Sequence, residues 1–329
     1  MSRSFEKVAL VTGAAGFVGA NLVRRLVAEG CDVHALVRPQ SIAWRLDGAR
    51  DVRVHEIDLR DGDRLQPLVR AIRPQWIFHC ASYGAYSWQR DSERMRDTNL
   101  TGTANLLAAC RQTGFDVFVN TGSSSEYGYK KTAPAETDTA EPNSPYAESK
   151  LQGTEHCAHD ARVHGGSVTT LRLYSVYGPY EEPNRLIPML LVAAANGVLP
   201  PLAQPLTARD FIYIDDVCDA YLEVARQRPV EPGGIFNVGT GSQTTLADVV
   251  ALARAMFNVS LEPQWGSMPS RTWDTDVWCS DIRKIQAELG WEPRHSLADG
   301  LAAFNTWLAA HPALRERYQT AMAGALAGL

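Results

Sequence analysis

The first half of the chain alternates short β-branched runs with amphipathic stretches of helix length. The runs that predict strands are Val8–Thr12, Asp32–Val37, Val52–Ile57, Trp76–Cys80, Val117–Thr121 and Ser167–Leu173. The helix-like stretches are Asn21–Glu29, Asp63–Ile72, Asn99–Thr113 and one that begins near Tyr146. Parallel strands need long crossover connections, and helices on both faces keep such a sheet buried. The alternation therefore predicts an α/β fold with a doubly wound parallel sheet, the Rossmann arrangement.

The texture of the sequence changes after Gly178, where prolines become frequent. We therefore predict a dinucleotide-binding domain over residues 1–178 and a mainly substrate-binding lobe over residues 179–329. Strand-like runs at Phe211–Ile214 and Phe236–Val238 predict returns to the first domain near residues 211–240. Two later helices are predicted at Leu246–Met256 and Leu297–Ala310. The smaller C-terminal lobe is thus expected to be discontinuous in sequence.

Composition and charge argue against several classes of binding partner. Its 329 residues carry a formal net charge of −5 with no basic run, which argues against a nucleic-acid partner. The most apolar window, around Leu186–Ala195, is far shorter than the roughly 18 residues of a membrane span, so no membrane association is expected. The polar start Met1–Lys7 lacks the features of a secretory leader and predicts a cytoplasmic protein. Six scattered cysteines show no metal-ligand spacing and predict reduced thiols without a metal site.

A glycine-rich turn, TGAAGFVG at Thr12–Gly19, lies between the first predicted strand and helix. Gly13 can make the tight turn, Gly16 lets the backbone approach a pyrophosphate, and Gly19 lets helix and strand pack closely. The helix N-terminus offers amide groups and a positive dipole end to the phosphates. Such a turn can also be a turn and nothing more, but its position favours dinucleotide binding. The candidate cofactor residues here are Gly13, Gly16, Phe17, Val18 and Gly19.

The adenosine end of the predicted cofactor site carries an arginine. Strand two ends at Arg38, where most NAD-binding folds have an acid for the ribose hydroxyls. Arg38 can pair with a 2′-phosphate, which favours NADP(H) over NAD(H), or it can be a surface residue.

Other candidate cofactor residues have a structural alternative as well. Asp58 either accepts a hydrogen bond from the adenine amino group or caps the next helix. Asn99 either bonds backbone near the active site or only caps its helix. The other residues predicted along the cofactor are Leu59, Cys80, Ala81, Ser82 and Thr121.

A second group of residues suits proton transfer. Tyr146 and Lys150 are four residues apart at a predicted helix start and share one helix face. Because a free tyrosine has a pKa of about 10, a neighbouring ammonium is needed to favour the phenolate. Lys150 supplies that charge and can also hold the nicotinamide ribose. Ser123, in the serine-rich run after Val117–Thr121, ends its strand on the ligand-binding side and can touch a substrate oxygen. A solvated helix face and a purely structural loop are the alternatives.

The motifs TGAAGFVG, HCAS, SSSEYG and YAESK, in this order, resemble the extended short-chain dehydrogenase/reductase superfamily over nearly all of the chain. Later motifs resemble the branch that acts on nucleotide-sugars, namely RLYSVYGP, ARDFIYIDDV, FNVG and LGWEP. The resemblance implies an NAD(P)-dependent enzyme with a triad on Ser123, Tyr146 and Lys150. It also implies that Arg209 and Arg271 approach the diphosphate or nucleotide, although either arginine can instead form a surface ion pair.

The loop after Ser123 separates the reactions of this branch. Dehydratases resembling this chain carry an acidic pair immediately after the catalytic hydroxyl, where this chain has Ser124 and Ser125. Glu126 lies one position further on and is expected to contact substrate, with a base role left open. Ser175 stands where relatives usually have Asn, at another expected substrate contact.

The loop as a whole looks most like that of GDP-4-keto-6-deoxy-mannose reductases, and Arg38 agrees with an NADPH-using enzyme. We therefore expect hydride transfer from NADPH to a nucleotide-linked 4-keto-6-deoxyhexose. The alternatives are an NAD-dependent 4-epimerase, a 4,6-dehydratase or a non-catalytic NADP-binding protein. The resemblance further implies a homodimer formed through the helices Asn99–Thr113 and Tyr146–His164.

Overall fold

A computed structural model of the chain describes residues 7–229, 231–268 and 277–327. Its central sheet has seven strands in the order β10-β6-β5-β4-β1-β2-β3, and every pairing is parallel. The strands are β1 (Val8–Thr12), β2 (Asp32–Val37), β3 (Val52–Glu56), β4 (Trp76–His79), β5 (Val117–Ser123), β6 (Val168–Leu173) and β10 (Ile235–Val238). The order reverses between β1 and β4, so the predicted doubly wound α/β fold is confirmed.

Helices cover both faces of this sheet. They are α1 (Phe17–Ala28), α2 (Gly62–Ile72), α3 (Ser92–Arg96), α4 (Gly102–Thr113), α5 (Pro145–His164), α6 (Leu186–Ala195), α7 (Ile214–Gln227), α8 (Leu246–Phe257), α9 (Arg283–Leu289), α10 (Leu297–Ala310) and α11 (Pro312–Ala327). Along β1, Ala9 and Val11 enter one core while Leu10 enters the other, and all three are fully buried. A sheet buried on both faces explains why its strands read as continuous apolar runs.

Two smaller sheets lie outside the main one. In the first, β7 (Ser175–Tyr177) pairs in parallel with β9 (Phe211–Tyr213). In the second, β8 (Ala208–Arg209) pairs antiparallel with β11 (Thr244–Thr245). No helix of the described segments is long and apolar enough to cross a membrane.

The helix predicted at Asn99–Thr113 begins earlier than expected. A short helix, α3, leads into a π-helical turn at Asp97–Thr101, and α4 follows without a break. The wider turn lets the Asn99 side chain bond the backbone of Tyr83 through both its oxygen and its nitrogen. Asn99 therefore lies inside a helical segment rather than at its start.

The segment 179–182 ties several parts of the chain together, and we call it the strap. Asn21 of α1 donates to the Pro179 carbonyl at 2.9 Å, and Arg45 donates to the Tyr180 carbonyl at 2.7 Å. Arg45 also pairs with Glu182 at 2.8 Å. The Tyr318 hydroxyl of α11 donates to the Glu181 carbonyl at 2.7 Å. The strap is thus held from the glycine-turn helix, the loop after β2 and the C-terminal helix together.

Candidate active site

The turn between β1 and α1 packs directly against the loop after β4. Gly13 has a φ of 65°, and a Cβ there would lie 2.6 Å from the Ala81 nitrogen. A Cβ on Gly19 would lie 2.4 Å from the Gly13 carbonyl oxygen. Only glycine fits at either position, because the contacts are with backbone atoms that cannot move aside. Gly16 begins α1 as an exposed N-cap, with Phe17 and Val18 half-buried behind it and no capping side chain. The first-turn amides are thereby left for an anionic ligand.

At the far end of the same sheet edge, Arg38 and Arg60 lie close to Asp58. Arg38 is exposed just after β2, where the Ser41 hydroxyl donates to its carbonyl. Arg60 donates hydrogen bonds to both carboxylate oxygens of Asp58, from Nε to Oδ1 at 3.0 Å and from Nη2 to Oδ2 at 2.7 Å. Hydrogen bonding from the Arg60 side chain lowers the pKa of Asp58, and the positive charge of Arg38 contributes. The helix cap is Asp61, which accepts from the Arg64 amide at 3.1 Å, so Asp58 is not that cap.

The loop after β4 contains Cys80, Ala81 and Ser82, the residues that the sequence predicts along the cofactor. The Ala81 amide donates to the Thr12 hydroxyl at 3.3 Å. Burial raises the pKa of the Cys80 thiol to about 11, so this thiol is uncharged at neutral pH. Ser82 is exposed at the rim. Leu59, also predicted as a cofactor contact, is buried beside α4. Its carbonyl accepts a hydrogen bond from the Asn105 side chain of α4 at 3.0 Å.

The helix α5 carries Tyr146 and Lys150 because of a strong start signal. Ser144 is its N-cap and accepts from the Ala147 amide at 3.2 Å, and Pro145 occupies the first turn, where no amide is required. Lys150, one turn after Tyr146, is 4% exposed and donates from Nζ to the Thr121 carbonyl at 2.5 Å. Burial lowers the pKa of Lys150, and the negative charge of Glu126 acts in the opposite direction.

Ser123 and Tyr146 meet as the sequence predicts. Burial raises the pKa of Tyr146, whereas hydrogen bonding from the hydroxyls of Ser123 and Ser82 lowers it. The Ser123 hydroxyl also lies 2.8 Å from that of Ser125. The structure therefore brings a serine hydroxyl and a phenol together and places an ammonium one helical turn away, the groups needed to move a proton at a carbonyl oxygen.

Glu126 does not face this cleft, which corrects the expectation that it contacts substrate. Its side chain is fully buried, and it forms an ion pair with Arg172 of β6 at 2.8 Å. The neighbouring Ser124 is 7% exposed, and Ser125 is half-buried. A buried, paired carboxylate can neither reach a sugar nor act as an elimination base.

The predicted substrate contacts Ser175 and Arg209 lie on β7 and β8. Ser175 is half-buried on β7, and its amide donates to the Asp210 carbonyl at 2.9 Å. The Arg209 guanidinium lies 5.5 Å from the ring centre of Trp278. Asp210 is fully buried and accepts from the Thr240 amide at 2.8 Å. The predicted contact Arg271 lies outside the described residues.

Sequence reasoning missed a buried hydrogen-bond chain that joins β1 to α5. His79 lies 2.7 Å from the Thr12 hydroxyl and 2.8 Å from that of Thr103. The Thr103 hydroxyl donates to the Asn99 backbone carbonyl at 2.8 Å, and the side-chain nitrogen of Asn99 donates to the Ser149 hydroxyl at 2.9 Å. Burial lowers the pKa of His79 to about 3, so this imidazole is neutral. Asn99 thus bonds backbone and side chains near the site and does not cap a helix. The signal was a histidine in an otherwise apolar strand.

Comparison with known proteins shows what the whole chain is similar to. The model of the NAD dependent epimerase/dehydratase family matches residues 9–239. A UDP-glucose 4-epimerase of Mycolicibacterium smegmatis is 30% identical over 89% of this chain and 96% of its own length. A dTDP-glucose 4,6-dehydratase of Streptomyces griseus is 30% identical over 92% of this chain and 94% of its own.

Solved structures give the same result. A UDP-glucose 4-epimerase of Thermotoga maritima with UDP-glucose superposes with a TM-score of 0.83 at 27% identity, over 92% of this chain and 98% of the other. A UDP-glucuronic acid 4-epimerase of Bacillus cereus, in complex with UDP-glucuronic acid and NAD, gives a TM-score of 0.80 at 26% identity, over 91% and 98%.

Proposed function

The chain belongs to the NAD dependent epimerase/dehydratase family, whose members act on nucleotide-sugars, and we propose that within this family it is a reductase. Its proposed reaction transfers a hydride from NADPH to the ketone of a nucleotide-linked 4-keto-6-deoxyhexose. The observation that carries the proposal is the arginine-rich adenosine end of the cofactor site.

Arg38 stands just after β2, and Asp58, whose charge acts together with that of Arg38, is held by Arg60. A guanidinium suits a 2′-phosphate, and a paired acid leaves little repulsion for that charge. The glycine turn and the half-buried start of α1 fit the pyrophosphate of either nicotinamide dinucleotide. An enzyme that prefers NADP(H) draws on a reduced cofactor pool, which supports net reduction rather than internal hydride return.

Bound NADPH would supply the hydride. Tyr146 gives the proton to the sugar oxygen, and Ser123 donates a hydrogen bond to that oxygen as negative charge develops. Lys150 stabilises the phenolate that remains and is held in place by the Thr121 carbonyl. Arg209 and Arg271 bind the diphosphate of the nucleotide-sugar, and Ser124, Ser125 and Ser175 line the sugar side.

The second candidate is an NAD-dependent 4-epimerase, which the relatives named above favour, and it uses the same triad. Dehydration is disfavoured because elimination needs an acid and a base beside the catalytic hydroxyl. Ser124 and Ser125 occupy those places, and the carboxylate of Glu126 is buried against Arg172.

One experiment separates the two candidates. Freshly purified protein is unfolded, any released nicotinamide cofactor is identified by mass spectrometry, and empty protein is titrated with NADPH and NADH. An empty site that prefers NADPH supports the reductase and directs a screen of 4-keto-6-deoxy sugars linked to GDP, CDP, dTDP and UDP. Stoichiometric NAD would refute the reductase and establish the epimerase as the better proposal.

A homodimer through α4 and α5 is also part of the proposal. Most exposed positions of α5 are polar, among them Glu148, Gln152, Glu155 and His159, with Val163 an exposed apolar exception. Pairing through this face would therefore be dominated by hydrogen bonds and charges. Sedimentation of the purified chain at several concentrations tests it, and a monomer throughout would refute it.

A further inference from the structure

We propose that Glu126 is a positioning residue: through its buried ion pair with Arg172 it fixes the backbone of Ser123 and the register of the helix that carries Tyr146 and Lys150. This inference rests on the proposed function only in needing the triad, which the reductase and the epimerase share.

The Glu126 carboxylate accepts hydrogen bonds from residues of three different elements. Its Oε1 accepts from the Ser123 amide at 2.8 Å and from the Thr154 hydroxyl of α5 at 3.1 Å. Its Oε2 accepts from Nε of Arg172 on β6 at 2.8 Å. The end of β5, the middle of α5 and strand β6 are therefore joined at one carboxylate. Ser123 is bonded through its own amide, and Thr154 lies one turn after Lys150 on the same helix.

Space in the fold is reserved for this ion pair. A Cβ on Gly122 would lie 2.9 Å from Oε1 of Glu126 and 3.2 Å from Cγ of Arg172. On the other side, the Arg172 guanidinium lies 4.4 Å from the ring centre of Tyr127. The Tyr127 hydroxyl is held in turn by Asn237 at 2.8 Å. The charged pair is thus packed between Gly122 and the ring of Tyr127, and the bond to Asn237 fixes the position of that ring.

A buried ion pair is a costly way to fill a core, since apolar side chains of similar volume are often equally stable. What an apolar pair cannot do is accept a hydrogen bond from the Ser123 amide or place a negative charge near the catalytic groups. The charge of Glu126 acts on Lys150, which also faces Cys80 and Cys157. It acts on Tyr146 too, which also faces Ser82, Ser123 and Arg185. The pair therefore influences both the geometry and the proton affinity of the triad.

Glu126→Gln tests the electrostatic part, because it keeps an acceptor oxygen but removes the charge. Arg172 then stays positive without its counter-ion, so the phenolate of Tyr146 is favoured and its pKa falls. The limb of the kcat–pH profile that reports Tyr146 is expected to move to lower pH, with kcat reduced on the order of tenfold to a hundredfold. Either proposed reaction gives this profile, so a wild-type protein that epimerises with retained NAD would refute the reductase and leave this test intact.

Two further variants separate positioning from stability. Glu126→Leu combined with Arg172→Met replaces the pair by apolar groups. It is expected to fold with a somewhat lower thermal midpoint, because the Ser123 amide and the Thr154 hydroxyl lose their acceptor, and with reduced kcat and unchanged NADPH binding. Asp160→Asn is the matched control, since it removes the Arg111–Asp160 ion pair of the same helix away from the triad. It is expected to leave the pH profile unchanged. A double variant with wild-type kcat, or Glu126→Gln with an unshifted limb, would overturn the proposal.

Discussion

At the residue scale, the proton donor is the first side chain to test. Tyr146→Phe removes one hydroxyl and leaves the ring that packs at the start of α5. Because general acid catalysis by a positioned group contributes roughly 10²–10⁴-fold, kcat is expected to fall by about that factor. NADPH affinity and the thermal midpoint should stay near wild type, as fluorescence titration and thermal unfolding would measure. Retained turnover would remove Tyr146 from the proposed mechanism.

Cofactor choice is also decided by a few side chains. Arg38→Asp places a carboxylate where a 2′-phosphate is proposed to bind and where NAD-binding folds commonly have an acid. The ratio of NADPH to NADH affinity is expected to fall on the order of a hundredfold, because a charge-assisted pair becomes a repulsion. The control is Arg53→Asp, an exposed charge reversal on β3 whose ion-pair partner is Asp32. An unchanged ratio for Arg38→Asp would mean that Arg38 is only a surface residue.

The buried carboxyl of Glu181 is expected to make the stability of the fold depend on pH. Burial raises the pKa of this carboxyl to about 8, and Arg185, 3.7 Å away, only partly opposes the shift. The folded state therefore binds a proton that the unfolded state releases near pH 4.5. The resulting stabilisation is complete at acidic pH and is lost as the pH rises through the interval from about 4.5 to 8.

Glu181→Gln carries no such proton, so its thermal midpoint should lack that decline and exceed that of wild type by a few degrees at pH 9. Scanning calorimetry from pH 5 to 9 on both proteins provides the measurement. Parallel curves would show that Glu181 is already ionised in the folded protein.

The sequence could place Ser123, Tyr146 and Lys150 because each follows from local information: a strand end, a helix start and a spacing of one turn. It could not place Glu126, because its burial depends on Arg172 of a strand that is distant in the chain. The same limit applies to His79, whose partners Thr12 and Thr103 come from separate elements. Local pattern identifies chemistry, whereas burial is a property of the assembled sheet.

At the element scale, the π-helical turn before α4 positions Asn99 against α5, where its side chain bonds Ser149. Asn99→Leu leaves the Tyr83 amide and carbonyl without their partner, while the Ser149 hydroxyl keeps only its bond to the Tyr146 carbonyl. Buried groups left unpaired cost about 1–3 kcal/mol. The free energy of unfolding in urea is expected to fall by that amount, and kcat should fall because α5 loses a tie. Asn105→Leu is the comparison, since Asn105 is only half-buried on α4 and should cost less. Equal losses would contradict a special role for the π turn.

Elements with clear periodicity or capping were predictable, and those without were not. The sheet strands and α5 follow from apolar runs and from the Ser144 cap. In α6, eight of the ten residues are buried, so no polar face marks it as a helix. Its Pro188 also suggests a break, although in the first turn proline needs no amide partner. Tertiary burial, rather than local preference, makes α6 a helix.

At the scale of the whole molecule, the strap is secured mainly by Arg45. This side chain is 7% exposed and bonds both the Tyr180 carbonyl and the Glu182 carboxylate. Arg45→Met keeps most of the apolar contact with Trp44 but removes both bonds. We expect a lower thermal midpoint and a higher KM for the nucleotide-sugar, with kcat less affected. Steady-state kinetics with saturating cofactor measures this, and a change in kcat alone would contradict it.

The hydrogen bonds of the strap affect how the protein unfolds. Its carbonyls are held by Asn21 near the first strand and by Tyr318 near the C-terminus. The two ends of the chain are therefore joined through a segment in its middle. Neither the N-terminal nor the C-terminal part of the chain can unfold without breaking its hydrogen bond to the strap, so heating should give one heat-absorption peak rather than two. A single cooperative unit of this kind would be lost as a whole, and half of the enzyme would not survive as a folded fragment.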